Sequence, residues 1–142
     1  MALEHPSRTV HSVIALDASQ WPIVVVTPPA VALSDASIDE FMERWTHTTH
    51  GQAGRYVCIH DVRSAPPMSP AHRKKMTDMM NGYRAQLAAQ CAGVAMVFDS
   101  VLMRAMLTAF MWMFRPPYPT QVFQSLDDAF RWGTEMLAKK AV

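Results

Sequence analysis

The chain has 142 residues, 50% of them hydrophobic, with 13 basic and 12 acidic side chains. This length and composition suit one apolar core, so we predict a single domain over residues 1–142, with 1–10 as a candidate disordered segment. The net charge of +1 offers no basic surface for a polyanion, so we expect no nucleic-acid partner. Cys58 and Cys91 lie in apolar runs and are predicted to be buried, reduced thiols, which suits a cytoplasmic protein.

The N-terminal third predicts a hairpin followed by a helix. VHSVIALDAS and WPIVVVTPP are typical of two strands, and the short polar DASQ between them suits a tight turn. Residues 34–51, SDASIDEFMERWTHTTHG, begin with N-cap residues and end at Gly51. Their apolar side chains recur at the spacing of an amphipathic helix: Ile38, Phe41, Met42 and Trp45.

The middle of the chain continues this alternation. RYVCIHDV, residues 55–62, predicts a third strand. Ser69 and Pro70 then supply the N-cap and the first-turn proline of one helix. The core-facing stripe of that helix comprises Met76, Met79, Met80, Tyr83 and Leu87. AGVAMVFDS is almost wholly apolar and predicts a fourth strand that is covered on both faces.

The stretch at residues 101–114, VLMRAMLTAFMWMF, predicts a helix in which only Arg104 and Thr108 are polar. Its apolar core of about 14 residues is shorter than the roughly 20 that cross a bilayer, and Arg104 would lie inside it. We therefore expect no transmembrane span. TQVFQS predicts a fifth strand, and Ser125 caps a last helix, LDDAFRWGTEMLAKK, with acidic residues in its first turn and lysines in its last.

The predicted order of elements is β-β-α-β-α-β-α-β-α. Strands and helices alternate from the second strand onward, which indicates an α/β fold with right-handed crossovers. We expect a mixed, mostly parallel five-stranded sheet with an N-terminal β-hairpin and four helices.

This order resembles the STAS domain of the anti-sigma-factor antagonists and the related SpoIIAA-like proteins, which are grouped with lipid-binding SEC14-type domains. Three stretches are similar: HDVRSAPPMS, where a strand leads into a helix; VAMVFDS, an apolar strand before a helix; and VFQSLDDAFRW, a closing strand, turn and helix. The likeness runs from about Trp21 to Leu137. It implies a regulatory or scaffolding interaction module without enzymatic activity.

One turn departs from the phospho-switched members of that family. Their D-S/T-S/T-G turn presents a hydroxyl to a kinase, whereas this chain has Met68-Ser69-Pro70-Ala71-His72 there. The glycine is missing, and proline and alanine stand at the hydroxyl positions. The resemblance therefore implies the module and not its phosphorylation switch, and Ser69 is predicted to act as an N-cap.

Candidates for catalysis, metal binding or anion binding are few. His60, Asp61 and His72 lie near the strand edge where α/β proteins bind ligands, but adjacent strand residues point to opposite faces, so we predict no catalytic residues. His47 and His50 share a helix face without a third ligand at a recognisable spacing, so no metal and no cofactor is predicted. A candidate anion site surrounds the start of the second helix and comprises Arg63, Ser69, His72 and Arg73.

The Met-rich helix, residues 101–114, carries two apolar stripes where a small sheet can cover only one. One stripe comprises Leu102, Met106, Ala109, Phe110 and Met113. We predict that the other side is an interface for self-association, or for another protein, with Arg104 at its rim. The predicted interface residues are Met103, Leu107, Phe110, Met111, Phe114 and Arg104.

Other uses of this helix stay open. A lipid or another apolar ligand would occupy a pocket between the sheet and the helix, or the helix would contact a membrane surface. Alternatively, the second stripe would be buried under the PPYP loop and the last helix. An unrecognised enzyme or metal protein using the histidines is the least favoured class. The preferred prediction is a non-enzymatic interaction module that forms a homodimer.

Overall fold

The structure, a computed structural model, describes residues 13–52 and 54–139. The candidate disordered segment at 1–10 lies outside the described residues. The strands are β1 (Ala15–Gln20), β2 (Ile23–Thr27), β3 (Tyr56–Asp61), β4 (Cys91–Val97) and β5 (Thr120–Phe123). The helices are α1 (Asp35–His50), α2 (Pro70–Gly82), α3 (Arg84–Gln90), α4 (Val101–Phe114) and α5 (Leu126–Ala138).

The five strands form one mixed sheet in the order β1-β2-β3-β4-β5. β1 and β2 make the antiparallel hairpin, and β2 to β5 run parallel. The predicted α/β fold is therefore confirmed. Each parallel strand lies next to the one before it in the chain, always in the same direction across the sheet. Right-handed crossovers between such strands all pass over the same face, so the connecting helices share one face of the sheet.

The number of helices differs from the prediction of four, because the described residues contain five. The apolar stripe from Met76 to Leu87 predicted one continuous helix, but the structure divides it into α2 and α3. The break is at Tyr83, whose φ of −108° and ψ of 14° leave the helical region. Gly82, a poor helix former, precedes it and weakens the helix at this point.

The last helix, α5, covers the opposite face of the sheet. Ala129 of α5 is fully buried in a cluster with the strand residues Ile23, Val57, Ile59, Ala92, Ala95 and Val97. Close approach is possible because glycines stand where the two layers meet. A Cβ atom at Gly93 would lie 2.7 Å from the Trp132 ring, and one at Gly133 would lie 3.1 Å from Val57.

The connecting helices form the other layer. Phe41 and Met42 of α1, Leu87 of α3 and Phe114 of α4 share a buried cluster with strand residues such as Val94. α4 packs mainly against α2 and makes fewer contacts with the strands. This arrangement leaves space between the inner side of α4 and the sheet.

Candidate functional site

A cavity of about 380 Å³ lies between the sheet and α4. Its floor consists of side chains from four neighbouring strands, Val26, His60, Val94, Met96 and Thr120. Its roof is the inner side of α4, and its rim is built by two proline-containing loops, 28–33 and 65–68, and the start of α2. The lining is predominantly apolar, and the volume lies in the range of small-molecule sites.

The strand pairing explains why the floor residues meet. Val26 pairs with His60, and His60 pairs with Met96. Val94 pairs with Thr120 and stands two residues before Met96. Since paired residues share a face of the sheet and side chains alternate along each strand, all five point to the same side. The neighbouring positions, such as Ile59 and Ala95, point instead to α5.

The roof of the cavity combines residues from both predicted stripes of α4. Met103, Leu107 and Met111 come from the stripe predicted to be uncovered. Met106 and Phe110 come from the stripe predicted to face the sheet. Phe114 is 2% exposed and belongs to the core. The outward side carries large apolar groups at high exposure, namely Val101 (84%), Leu102 (57%), Trp112 (73%) and Met113 (53%).

The predicted interface residues therefore occupy two places. Met103, Leu107, Phe110, Met111 and Phe114 face the cavity or the core. Arg104 is exposed, and its guanidinium lies 6.0 Å from the Phe98 ring centroid. Their assignment to an interface stays a prediction. The exposed apolar surface of the same helix is formed by other residues, namely Val101, Leu102, Trp112 and Met113.

His60 is the titratable group on the cavity floor. Its Nε2 atom lies 3.2 Å from the Sγ of Cys58. Burial disfavours the imidazolium and lowers the pKa of His60 to about 4. Burial also raises the pKa of the Cys58 thiol well above its ordinary value. At neutral pH the pair is therefore an uncharged imidazole and an uncharged thiol.

Besides the side chains of the rim, two further polar side chains line the cavity. The Thr120 hydroxyl is buried and has no hydrogen-bond partner among the described residues. Burial raises the pKa of the Tyr118 phenol, which therefore stays protonated. The polar groups of His60, Tyr118 and Thr120 are thus all uncharged at neutral pH. Apart from the rim, the side chains around them are apolar.

The candidate anion site is only partly assembled. Ser69, His72 and Arg73 line the rim of the cavity, whereas Arg63 does not. Arg63 instead makes two hydrogen bonds to the carboxylate of Asp61, from Nε at 2.9 Å and from Nη2 at 2.8 Å. Anion binding by the three rim residues stays a prediction.

The rim residues are held by contacts within the chain. The Ser69 Oγ accepts a hydrogen bond from the His72 backbone N–H at 3.2 Å, as predicted for an N-cap. The His72 Nε2 lies 3.1 Å from Asp35 Oδ1, which connects the starts of α1 and α2. The Arg73 Nη1 donates to the Met68 carbonyl at 2.8 Å. These contacts orient the rim and pin the loop that precedes α2.

The histidines do not converge on a common centre. His60 contacts Cys58, and His72 pairs with Asp35. His47 and His50 are both exposed on α1, and the His50 ring lies 5.7 Å from that of Tyr83. Within residues 13–52 and 54–139, no group of three or more His, Cys, Asp or Glu side chains is placed to hold a metal ion.

None of the helices in the described part of the chain combines the length and the apolar content needed to cross a bilayer. α4, the most apolar of them, has 14 residues.

Thr120, like Tyr118, is a polar cavity residue that sequence reasoning did not single out. It begins the short strand β5 and gives no signal of its own. Its pairing with Val94 would have placed it on the α4 side, but that register is not visible in the sequence. His60 was considered for catalysis and set aside, and the structure places it among apolar side chains under α4.

Comparisons with known proteins address the fold. No protein-family profile matches the chain. No curated protein matches it either. Among solved structures, the chain is similar to a protein of the DUF3478 family with a SpoIIAA-like fold from Shewanella loihica PV-4, at 16% identity and a TM-score of 0.62. The match covers 85% of this chain and 92% of that one, so the fold is SpoIIAA-like, as the resemblance in the sequence implied.

Proposed function

We propose that the chain binds an elongated apolar small molecule in the cavity between the sheet and α4. The observation that carries this proposal is the cavity itself. It is about 380 Å³ in volume, and methionine, leucine and phenylalanine side chains of one helix form its roof. Methionine side chains adapt to the shape of an apolar ligand. A ligand here would cover the inner apolar side of α4, which the sheet contacts only in part.

The cavity sets the size of the ligand and the strength of binding. At roughly 30 Å³ for each non-hydrogen atom, the volume of liquid water, it holds about a dozen such atoms. Burying about ten methylene groups at about 0.8 kcal/mol each gives a gross gain of about 8 kcal/mol. Because immobilising the ligand offsets part of that gain, we expect a Kd of roughly 1 to 100 µM.

Titration calorimetry with decanol and decanoate tests the proposal. Leu107 lies on the inner side of α4. Leu107→Trp replaces its side chain by a bulky indole ring that fills part of the cavity, so this variant should not bind either compound. Leu102→Trp makes the same substitution on the outer side, where Leu102 is 57% exposed, and should leave binding unchanged. The unfolding temperature of each variant establishes that it is folded. If neither compound binds the wild-type chain, or if both variants bind equally well, the ligand-binding function is refuted.

A second function, self-association through the outer side of α4, is favoured by a separate observation. Leu102 and Trp112 are exposed at opposite ends of this side, and the small residues Ala105 and Ala109 are exposed between them. Two such helices packed antiparallel about a two-fold axis could approach closely at the alanines. The larger groups of each copy would then cover those of the other.

Sedimentation of the wild type and of Trp112→Glu tests self-association. Trp112→Glu should shift a dimer to monomer, because the carboxylate would be buried without a partner. Trp112→Phe keeps an apolar ring and should remain dimeric. A wild-type chain that is monomeric at high micromolar concentration would rule out this function and would leave ligand binding unaffected.

A further inference from the structure

We propose that the ligand of the cavity carries two uncharged oxygen groups, one near each end of an apolar body, which bond to His60 and to Thr120. This inference rests on the ligand-binding function proposed above and specifies the class of ligand. Hydroxyl or carbonyl groups at the two ends of a chain of about ten carbons fit the description.

The Thr120 hydroxyl supplies the first observation. It is buried in the cavity wall and has no hydrogen-bond partner among the described residues. A buried hydroxyl without a partner costs stability, and most such groups in folded proteins find one. A ligand oxygen in the cavity would supply the missing partner.

His60 supplies the second observation, independently of Thr120. One ring nitrogen, Nε2, contacts Cys58 Sγ at 3.2 Å, and the ring lines the cavity. An imidazole has a second nitrogen, which is a donor in one tautomer and an acceptor in the other. A hydroxyl group can donate as well as accept, so it bonds to either tautomer.

The spacing of the two groups follows from the sheet. His60 and Thr120 lie on the same face, on β3 and β5, and β4 separates them. His60 pairs with Met96 and Thr120 pairs with Val94, two positions earlier on β4. With strands about 4.8 Å apart and a rise of about 3.3 Å per residue, their Cα atoms are separated by roughly 12 Å. The cavity between them is floored by apolar side chains.

Uncharged groups are favoured over carboxylates at these two positions. The floor around them offers no cation, since the Arg73 and His72 side chains lie at the rim and belong to α2. Moving a carboxylate from water into apolar surroundings without a charged partner is strongly unfavourable. A ligand charged at both ends would therefore be excluded from the floor.

Calorimetric titration with decanediol, decanol and decanedioate tests this inference. We expect decanediol to bind at least as tightly as decanol, although its second hydroxyl must leave water, and decanedioate to bind far more weakly. Thr120→Val removes the hydroxyl while preserving the shape of the side chain. It should weaken decanediol binding roughly 2- to 12-fold, the value of one hydrogen bond.

Variants of His60 provide the matched test at the other end. His60→Phe should weaken decanediol binding by a similar factor, and His60→Gln, which keeps an uncharged hydrogen-bonding group, should retain it. Because the two sites are roughly 12 Å apart, the effects of Thr120→Val and His60→Phe should multiply in the double variant. Thr120→Val keeps the test decisive if His60→Phe does not fold, because unchanged affinity in that variant alone refutes a ligand bonded at both ends.

The outcomes separate this inference from the function beneath it. If decanol binds but decanediol binds more weakly, or if Thr120→Val or His60→Phe leaves decanediol affinity unchanged, the ligand class is wrong and apolar binding stands. If none of the three compounds binds, the ligand-binding function itself is refuted.

Discussion

The pH dependence of stability tests whether the apolar surroundings of His60 keep its imidazole uncharged in the folded chain. In the folded chain the pKa of His60 is lowered from 6.5 to about 4 because burial disfavours the imidazolium. As pH falls below 6.5, the unfolded chain takes up a proton at this site before the folded chain does. Stability is therefore present above about pH 6.5 and is lost progressively as pH falls toward 4.

The size of the effect follows from these two values. At pH 5 the unfolded imidazole is almost fully protonated, whereas the folded one is about one-tenth protonated. This difference amounts to a loss of about 2 kcal/mol between pH 7.5 and pH 5. For a chain of this size it corresponds to a decrease of about 1 M in the urea midpoint.

Urea unfolding of the wild type and of His60→Phe at both pH values isolates this contribution. All other groups are the same in the two proteins, so their contributions cancel in the comparison. The Tyr118 phenol and the thiols of Cys58 and Cys91 stay protonated throughout this range, since burial raises the pKa of each.

The expected result is a wild type that loses about 2 kcal/mol more than His60→Phe between the two pH values. His47→Gln removes an exposed imidazole from α1 and controls for the loss of a histidine elsewhere. If wild type and His60→Phe lose the same stability, the imidazole is accessible to water in the folded chain. That result would refute the desolvation of His60 by the apolar side chains around it.

Three further predictions concern the framework around the site. Gly93→Ala should lower the free energy of unfolding by about 1 to 3 kcal/mol in urea, because the new Cβ would lie 2.7 Å from the Trp132 ring; an unchanged midpoint would show that the ring moves aside. Ser69→Ala should cost about 1 kcal/mol through loss of the N-cap of α2, and Ser69→Asp should restore it; equal stability of all three proteins would argue against a capping role. Cys58 and Cys91 should react with iodoacetamide at pH 8 only after unfolding, since both are buried. Burial also raises the pKa of each thiol, that of Cys91 to about 12. Rapid labelling of the native chain, detected by mass spectrometry, would contradict this prediction.

Local sequence signals were sufficient for the order of elements. Ser69 and Ser125 cap their helices as predicted, because the capping hydroxyl needs only a backbone N–H three residues away. The β-branched run from Ile23 to Val26 and the apolar run at 92–97 gave the inner strands, since strands covered on both faces need apolar side chains at every position. The division at Tyr83 escaped prediction because the apolar spacing continues across it.

The orientation of α4 was decided only in three dimensions. Both sides of the helix are apolar, so hydrophobic periodicity could not distinguish the side with Met103 and Leu107 from the side with Leu102 and Met113. The packing of α4 against α2 turns the first pair toward the cavity and leaves the second pair exposed.

The cavity floor depended on the tertiary structure in the same way. His60 and Thr120 are 60 residues apart in the chain, and they share one face only through the register of β3, β4 and β5. Local propensity acts over a few residues and specifies each strand. Which strands pair, and in what register, depends on how the whole sheet buries its two faces, so the cavity between the sheet and α4 exists only once the chain has folded.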